Sequence, residues 1–164
     1  MQDIFISLGS NTGDPADNLK RAVGLLENLP GLSMVDKSSV YRTEPQGLKN
    51  QAWFANQVLW MRGEDSWKPR ALLTALKEME KQMGRVPAPR NSPRLIDLDI
   101  LLLGNTVLSE GELILPHPGL KSRAFVLIPL VEICPQLVLP DGSEAESLLH
   151  GLEFRLEGYK IFQT

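Results

Sequence analysis

Two aspartates one residue apart, Asp97 and Asp99, lie within the apolar stretch Leu95-Ile96-Asp97-Leu98-Asp99-Ile100-Leu101-Leu102-Leu103. Strand side chains alternate, so both carboxylates would share one face while Ile96, Leu98 and Ile100 share the other. Their Cα atoms would stand roughly 6.5–7 Å apart, twice the strand rise. Two carboxylates at that spacing can converge on a hard cation. Mg²⁺ takes one or two carboxylates and fills its shell with water and phosphate oxygens. The competing reading is a pair of solvated aspartates on an exposed sheet face. So apolar a strand argues against it, because unpaired charge is costly there.

Basic residues gather close by in the chain. Lys81, Arg85, Arg90 and Arg94 fall in a segment that contains no acidic residue. Guanidinium forks bind phosphate oxygens through two bonds and stay charged at any relevant pH. A carboxylate-held cation beside convergent arginines suits phosphoryl-type transfer, where the work is positioning and charge neutralisation. Taken alone, Arg85 would be a surface ion pair. His117 is held between Pro116 and Pro118 and is suited to point at a phosphate or to hold a tight turn. Lys121 and Arg123 follow at the start of a predicted helix, where positive charge opposes the dipole and a bound anion would reconcile it. Glu80 is expected to pair with Lys77 or Lys81 along its helix, or to accept from a ligand. No G-x-x-x-x-G-K-[ST], G-x-G-x-x-G or kinase signature is present. Cys134 sits among apolar residues and reads as core.

The elements that must position these groups follow from periodicity and turn chemistry. Residues 3–8 alternate as a strand. Asp14 caps a helix with Pro15 at its first position, and Leu19, Ala22, Val23 and Leu26 repeat at helical spacing as far as about Asn28. Residues 32–42 and 52–62 read as strands separated by a polar loop. Ser66 is expected to cap a long helix with the stripe Leu72, Leu76, Met79 and Met83, stopped by Gly84. Pro87, Pro89 and Pro93 forbid regular structure over residues 85–94, so a stiffened basic flap is expected there. A strand over 95–103, hairpin-like pieces, a helix over 123–133 and a short helix near 144–149 complete the chain. The expected class is α+β. Its core is a ferredoxin-like βαββαβ unit with a mostly antiparallel sheet, helices on one face and C-terminal additions on the other.

Length and composition bound the rest. The chain has 164 residues, 43% hydrophobic and 23% charged, enough for a single domain over 1–164. A net charge of −3 argues against nucleic acid as the main partner. One cysteine forms no internal disulfide. Neither a signal peptide nor a run of ~20 apolar residues is seen, so the cytoplasm is the expected compartment and no membrane partner is expected.

Taken together the motifs resemble the 6-hydroxymethyl-7,8-dihydropterin pyrophosphokinase family of folate biosynthesis. The likeness runs from Ile6-Ser7-Leu8-Gly9-Ser10-Asn11 through Tyr41-Arg42-Thr43-Glu44-Pro45-Gln46-Gly47, Phe54-Ala55-Asn56 and Gly84-Arg85. It continues through Pro93-Arg94-Leu95-Ile96-Asp97-Leu98-Asp99-Ile100, Pro116-His117-Pro118 and Arg123-Ala124-Phe125-Val126-Leu127-Ile128-Pro129-Leu130. The resemblance implies transfer of the β,γ-diphosphate of ATP to the hydroxymethyl group of a reduced pterin, with release of AMP. It implies that Asp97 and Asp99 hold two Mg²⁺ ions and that Arg85 and Arg94 clamp the transferring group. Glu80, Ile100, His117, Lys121 and Arg123 would line the ATP site. Thr43, Gln46, Phe54, Asn56 and Phe125 would form the pterin pocket, and the protein would act as a monomer on small molecules. Phe54 and Phe125 can sandwich a flat heterocycle, and Asn56 offers a donor and an acceptor to its amide-like edge.

The chain departs from the family pattern in the basic loop. Asn91-Ser92 stands where better-known members carry Trp-Gly, and Pro87 where a further basic residue is common. The rivals are a non-catalytic ferredoxin-like module binding nucleotide or single-stranded RNA, and another Mg-dependent nucleotide transferase. An RNA binder of this fold displays aromatics in an RNP1-type pattern, which is lacking here.

Overall fold

The computed structural model describes residues 1–45 and 50–163. Strand β1 (Gln2–Ser10) lies second from one edge of a seven-stranded sheet. It pairs antiparallel with β4 (Phe54–Gly63) on one side and β5 (Asp97–Leu103) on the other. Beyond β4 come β2 (Leu32–Lys37) and β3 (Tyr41–Thr43), each pairing with a different part of it. A C-terminal hairpin, β8 (Arg155–Glu157) and β9 (Lys160–Phe162), extends the sheet through a parallel β3–β9 pairing, so the sheet is mixed. Between β5 and the C-terminal region lies a small hairpin, β6 (Leu108–Glu110) and β7 (Leu113–Leu115).

Both faces of the sheet are covered, and the strand sequences say why. Ile4, Ile6 and Leu8 of β1 point to one side, with Leu98 and Ile100 of β5. There they meet Leu19, Ala22 and Leu26 of α1 (Pro15–Glu27) and Leu72, Leu76 and Met79 of α2 (Pro69–Gln82). Phe5, Val58, Leu101 and Leu102 point to the other side, under Val126, Leu127 and Leu130 of α3 (Ala124–Ile133). Helix α3 is apolar nearly all round because its far side is buried as well. Ala124 and Ile128 pack on Tyr41 and Ile161. Helix α4 (Ala145–His150) closes that layer. Cys134 packs half-buried beside this layer, and burial pushes its thiol pKa up, as fits a core residue.

Asp14 caps α1 by accepting from the Asp17 N–H, with Pro15 in the first turn, as the sequence predicts. Gly84 takes φ +99° just past the end of α2, the left-handed stop expected of it. Three local expectations are corrected. The cap of α2 is Lys68, not Ser66: Pro69 fills the first turn and pushes the preceding residue into extended backbone, so no helix can begin earlier. The strand expected over residues 32–42 is broken into β2 and β3. Glu132 of α3 takes both the N–H and the hydroxyl of Ser39, which lifts the chain off the ladder. The tail holds two short strands that the sequence did not announce.

Candidate active site

The site lies on the α3 face of the sheet, beyond the N-terminal end of that helix. Strand register assembles it. Asp97 of β5 stands opposite Gly9 of β1, Gly9 opposite Asn56 of β4, and Asn56 opposite Tyr41 of β3. Directly paired residues share a face, so this row carries a carboxylate at one end, an amide further along and no side chain between. A Cβ on Gly9 would sit a tight 3.3 Å from Asn56 Oδ1. Two residues along the ladders, and so on the same face, Asp99 pairs with Ser7 and Thr43 with Phe54. The cleft above this floor is lined by Thr43, Phe54 and Asn56 on one side and Asp97, Asp99 and His117 on another. Arg94, Arg123 and Phe125 complete its rim.

Asp97 and Asp99 fit a hard cation. Asp99 is half-buried on the cleft floor, and its pKa is pushed up to about 7 by burial and then by the negative charge of Asp97 and Glu80. Such like-charge crowding is what a divalent ion relieves. Asp97 meets cations of the protein itself: Arg85 Nη1 lies 3.0 Å from its Oδ1 and Arg94 Nη1 3.6 Å. Arg85 is drawn inward rather than lying on the surface. The same Nη1 donates to Glu80 Oε2 at 2.7 Å. Glu80 also accepts from the Leu98 N–H at 2.8 Å, so it tethers α2 and Arg85 to β5 instead of pairing with Lys77 or Lys81. Lys77 pairs with Glu112. Burial raises the Glu80 pKa, and the Leu98 N–H and Arg85 oppose that rise.

A β-bulge sets the place of His117. The β1–β5 register shifts between Phe5 and Ile6, leaving Leu101 as the extra residue, and the Leu101 carbonyl accepts from the His117 N–H at 3.0 Å. His117 Nδ1 accepts from the Gly119 N–H at 2.9 Å, so the neutral ring carries its hydrogen on Nε2. Burial and the nearby Arg123 both lower its pKa, which keeps it neutral at pH 7. Arg123, the residue before α3, lays its guanidinium against Gly119. A Cβ there would meet Arg123 Nε, Cζ and Cδ at 2.6–2.9 Å. Gly119→Ala should therefore leave the fold intact, because only the end of a flexible side chain must move. It should push Arg123 off its present place at the cleft rim; thermal melts test the first part and a structure of the variant the second.

Phe54 and Phe125 both line the cleft half-buried, and Phe125 also packs on the core beneath α3. Arg123 lies 5.6 Å over the Phe125 ring. Asn56 Nδ2 donates to Thr43 Oγ1 at 2.7 Å, which leaves Oδ1 as the group offered to a ligand N–H. Two predicted residues stand apart. Ile100 is buried in the α1–α2 core, its side chain on the face away from the cleft, because strand alternation separates it from Asp99. Lys121 pairs with Asp141 and lines a separate, mostly apolar cavity next to His117. Gln46 lies outside the described residues.

Sequence reasoning passed over Asn11 as a functional residue. Its Oδ1 accepts from the Arg94 N–H at 2.7 Å, and its Nδ2 donates to Gln51 Oε1 and the Ala52 carbonyl. Gln51 Nε2 in turn donates to the Asn91 carbonyl at 2.9 Å. The turn after β1 thus ties the segment before β4 to the basic loop. The signals in the sequence were a polar residue in a glycine-flanked turn and its place at the end of the first motif.

Fold and site together define a small α/β protein suited to bringing a phosphorylated compound and a flat ring together beside a hard cation. Comparison with known proteins agrees. A family model described as 7,8-dihydro-6-hydroxymethylpterin-pyrophosphokinase (HPPK) matches residues 5–135. The 2-amino-4-hydroxy-6-hydroxymethyldihydropteridine pyrophosphokinase of Pseudomonas aeruginosa is 38% identical over 154 residues, covering 94% of each chain. That of Methylorubrum extorquens is 40% identical, over 90% of this chain and 92% of its own. Among solved structures, an HPPK-DHPS in complex with substrates matches with a TM-score of 0.72 at 14% identity. That match covers 90% of this chain but 44% of the longer protein, and it concerns the fold. The chain belongs to the 7,8-dihydro-6-hydroxymethylpterin-pyrophosphokinase family.

Proposed function

We propose that the cleft described above is where this chain performs the family's diphosphate transfer. The protein is an ATP-dependent diphosphotransferase (pyrophosphokinase) of folate biosynthesis. The observation that supports placing the reaction here is the arrangement on one sheet face. Asp97 and Asp99 occupy one part of it, half-buried Phe54 and Phe125 another, and Arg94, Arg123 and His117 border the same cleft.

Phe54 and Phe125 would hold the pterin ring, with Asn56 Oδ1 accepting from its edge and Thr43 fixing the Asn56 amide. Arg123 and His117 Nε2–H would donate to the phosphate chain. Arg85 and Arg94, both beside Asp97, would donate to the transferring diphosphate. The pterin hydroxymethyl oxygen attacks the β-phosphorus. The bond from that phosphorus to the oxygen bridging the α-phosphate breaks, AMP leaves, and the hydroxyl proton passes to solvent. Asp97 and Asp99 would hold Mg²⁺, proposed as two ions, which would supply neutralisation of the phosphate oxygens. Closure of residues 84–94 over the substrates would exclude water.

The sheet order β5-β1-β4-β2 with α1 and α2 on one face supports a ferredoxin-like core. A single domain acting as a cytoplasmic monomer is proposed alongside it. Among the described residues no helix is long and apolar enough to cross a membrane.

The nucleotide product tests the reading. With MgATP and 6-hydroxymethyl-7,8-dihydropterin the protein should release AMP in step with diphosphorylated pterin; ADP would mean a monophosphoryl transfer and end the diphosphate assignment. Asp97→Ala should remove turnover while leaving the far-ultraviolet circular dichroism unchanged. An active variant would remove Asp97 from the metal site.

A further inference from the structure

Arg123 enters the cleft from the turn before α3, and its own side chain makes no capping bond to that helix. The cap is supplied from elsewhere. Gln163 Oε1 accepts from the Ala124 N–H at 2.8 Å, and Gln163 Nε2 donates to the Ser122 carbonyl at 3.0 Å. One side chain therefore grips the backbone on both sides of Arg123. It comes from a segment beyond the residues matched by the family model. Gln163 directly follows β9, whose parallel pairing sets Ile161 opposite Thr43. Ile161 is buried against Tyr41, Ala124 and Ile128. The same short strand is thus anchored to the Thr43 edge of the cleft and to the start of α3.

We propose that Gln163 is a positioning residue for the phosphate chain of MgATP, acting through Arg123. The proposal rests on the reading of the cleft given above. An orphan N–H in the first turn of a helix needs an acceptor. Without Gln163 the turn from Ser122 to Ala124 loses both of its ties to the C-terminal strand. Arg123 then keeps its charge and loses its fixed direction.

A double-mutant cycle on the full chain tests this, reading the Kd of α,β-methylene-ATP with Mg²⁺ by calorimetry. Gln163→Leu should weaken binding about tenfold, the scale of one lost cap. Gln163→Glu, which keeps the acceptor for Ala124, should bind within about threefold of the parent. In an Arg123→Ala background, Gln163→Leu should cost nothing more. An equal loss in both backgrounds, or full affinity in Gln163→Leu, overturns the positioning role. If Gln163→Leu melts too low to assay, Gln163→Ala takes its place in the same cycle. Unchanged affinity in Arg123→Ala alone would remove Arg123 from the phosphate site, and the route proposed for Gln163 with it. Weak binding in that variant together with additive losses would leave the site reading standing and overturn only the positioning role.

Discussion

Asp99→Asn should make the metal-free protein more stable at pH 8 and nearly inactive. The Asp99 pKa is raised from 3.8 to about 7, first by burial and then by Asp97 and Glu80, while Arg123 and Arg85 oppose the rise. The folded state therefore holds this proton more tightly than the unfolded chain does. The associated stability is fully present below pH 3.8 and is lost as pH rises through about 7. Asparagine carries no such charge. Its gain over the parent should be about 2–6 °C in Tm at pH 8, should shrink as pH falls and should vanish only below about pH 3.8. Adding MgCl₂ should reverse the order at pH 8, because the ion rewards the ionised carboxylate in the parent and finds one ligand fewer in the variant. Turnover should fall by about 10³-fold or more. Equal Tm values for parent and variant across pH 5 to 8 would show that Asp99 carries no buried charge.

Arg85→Ala should cost both stability and rate, by separable routes. Glu80 is buried, with the Leu98 N–H and Arg85 Nη1 as its partners. Removing the guanidinium leaves a buried carboxylate with one donor, a loss of about 2–4 kcal/mol by the measure of broken buried pairs. The Glu80 pKa, already raised by burial, would rise further without Arg85. The stability deficit should therefore be larger at pH 8 than at pH 5, where the carboxyl is more easily neutralised. Adding Glu80→Gln should restore much of the urea midpoint, since the amide no longer needs a cation. It should not restore turnover, which should remain about 10²–10³-fold down if Arg85 also acts on the transferring group. Recovery of both together would make Arg85 a structural residue alone.

Much of the fold was legible because local chemistry and tertiary demand agree. Asp14-Pro15 starts α1, Gly84 ends α2, and alternation marks β1 and β5. Legibility failed where a distant group overruled the chain. Nothing local to Ser38-Ser39-Val40 announces that Glu132 will break the strand there. Strands β8 and β9 are three residues each, and β8 is fully exposed, too short and too polar for a period-2 signal. Ile100 was placed by likeness in the ATP site, whereas alternation along its own strand turns its side chain into the core.

By itself, the sequence determined the chemistry of this protein. Residue types and i,i+2 spacing put two carboxylates on one face of a strand, proline and arginine content marked the basic loop, and motif order identified the family. The tertiary structure decided what those groups face. Strand register left Gly9 between Asp97 and Asn56, a bulge at Leu101 brought in His117, and Glu80 drew Arg85 inward. The physical reason is range. Propensity and alternation act over a few residues, whereas register, bulges and buried ion pairs depend on partners tens of residues away.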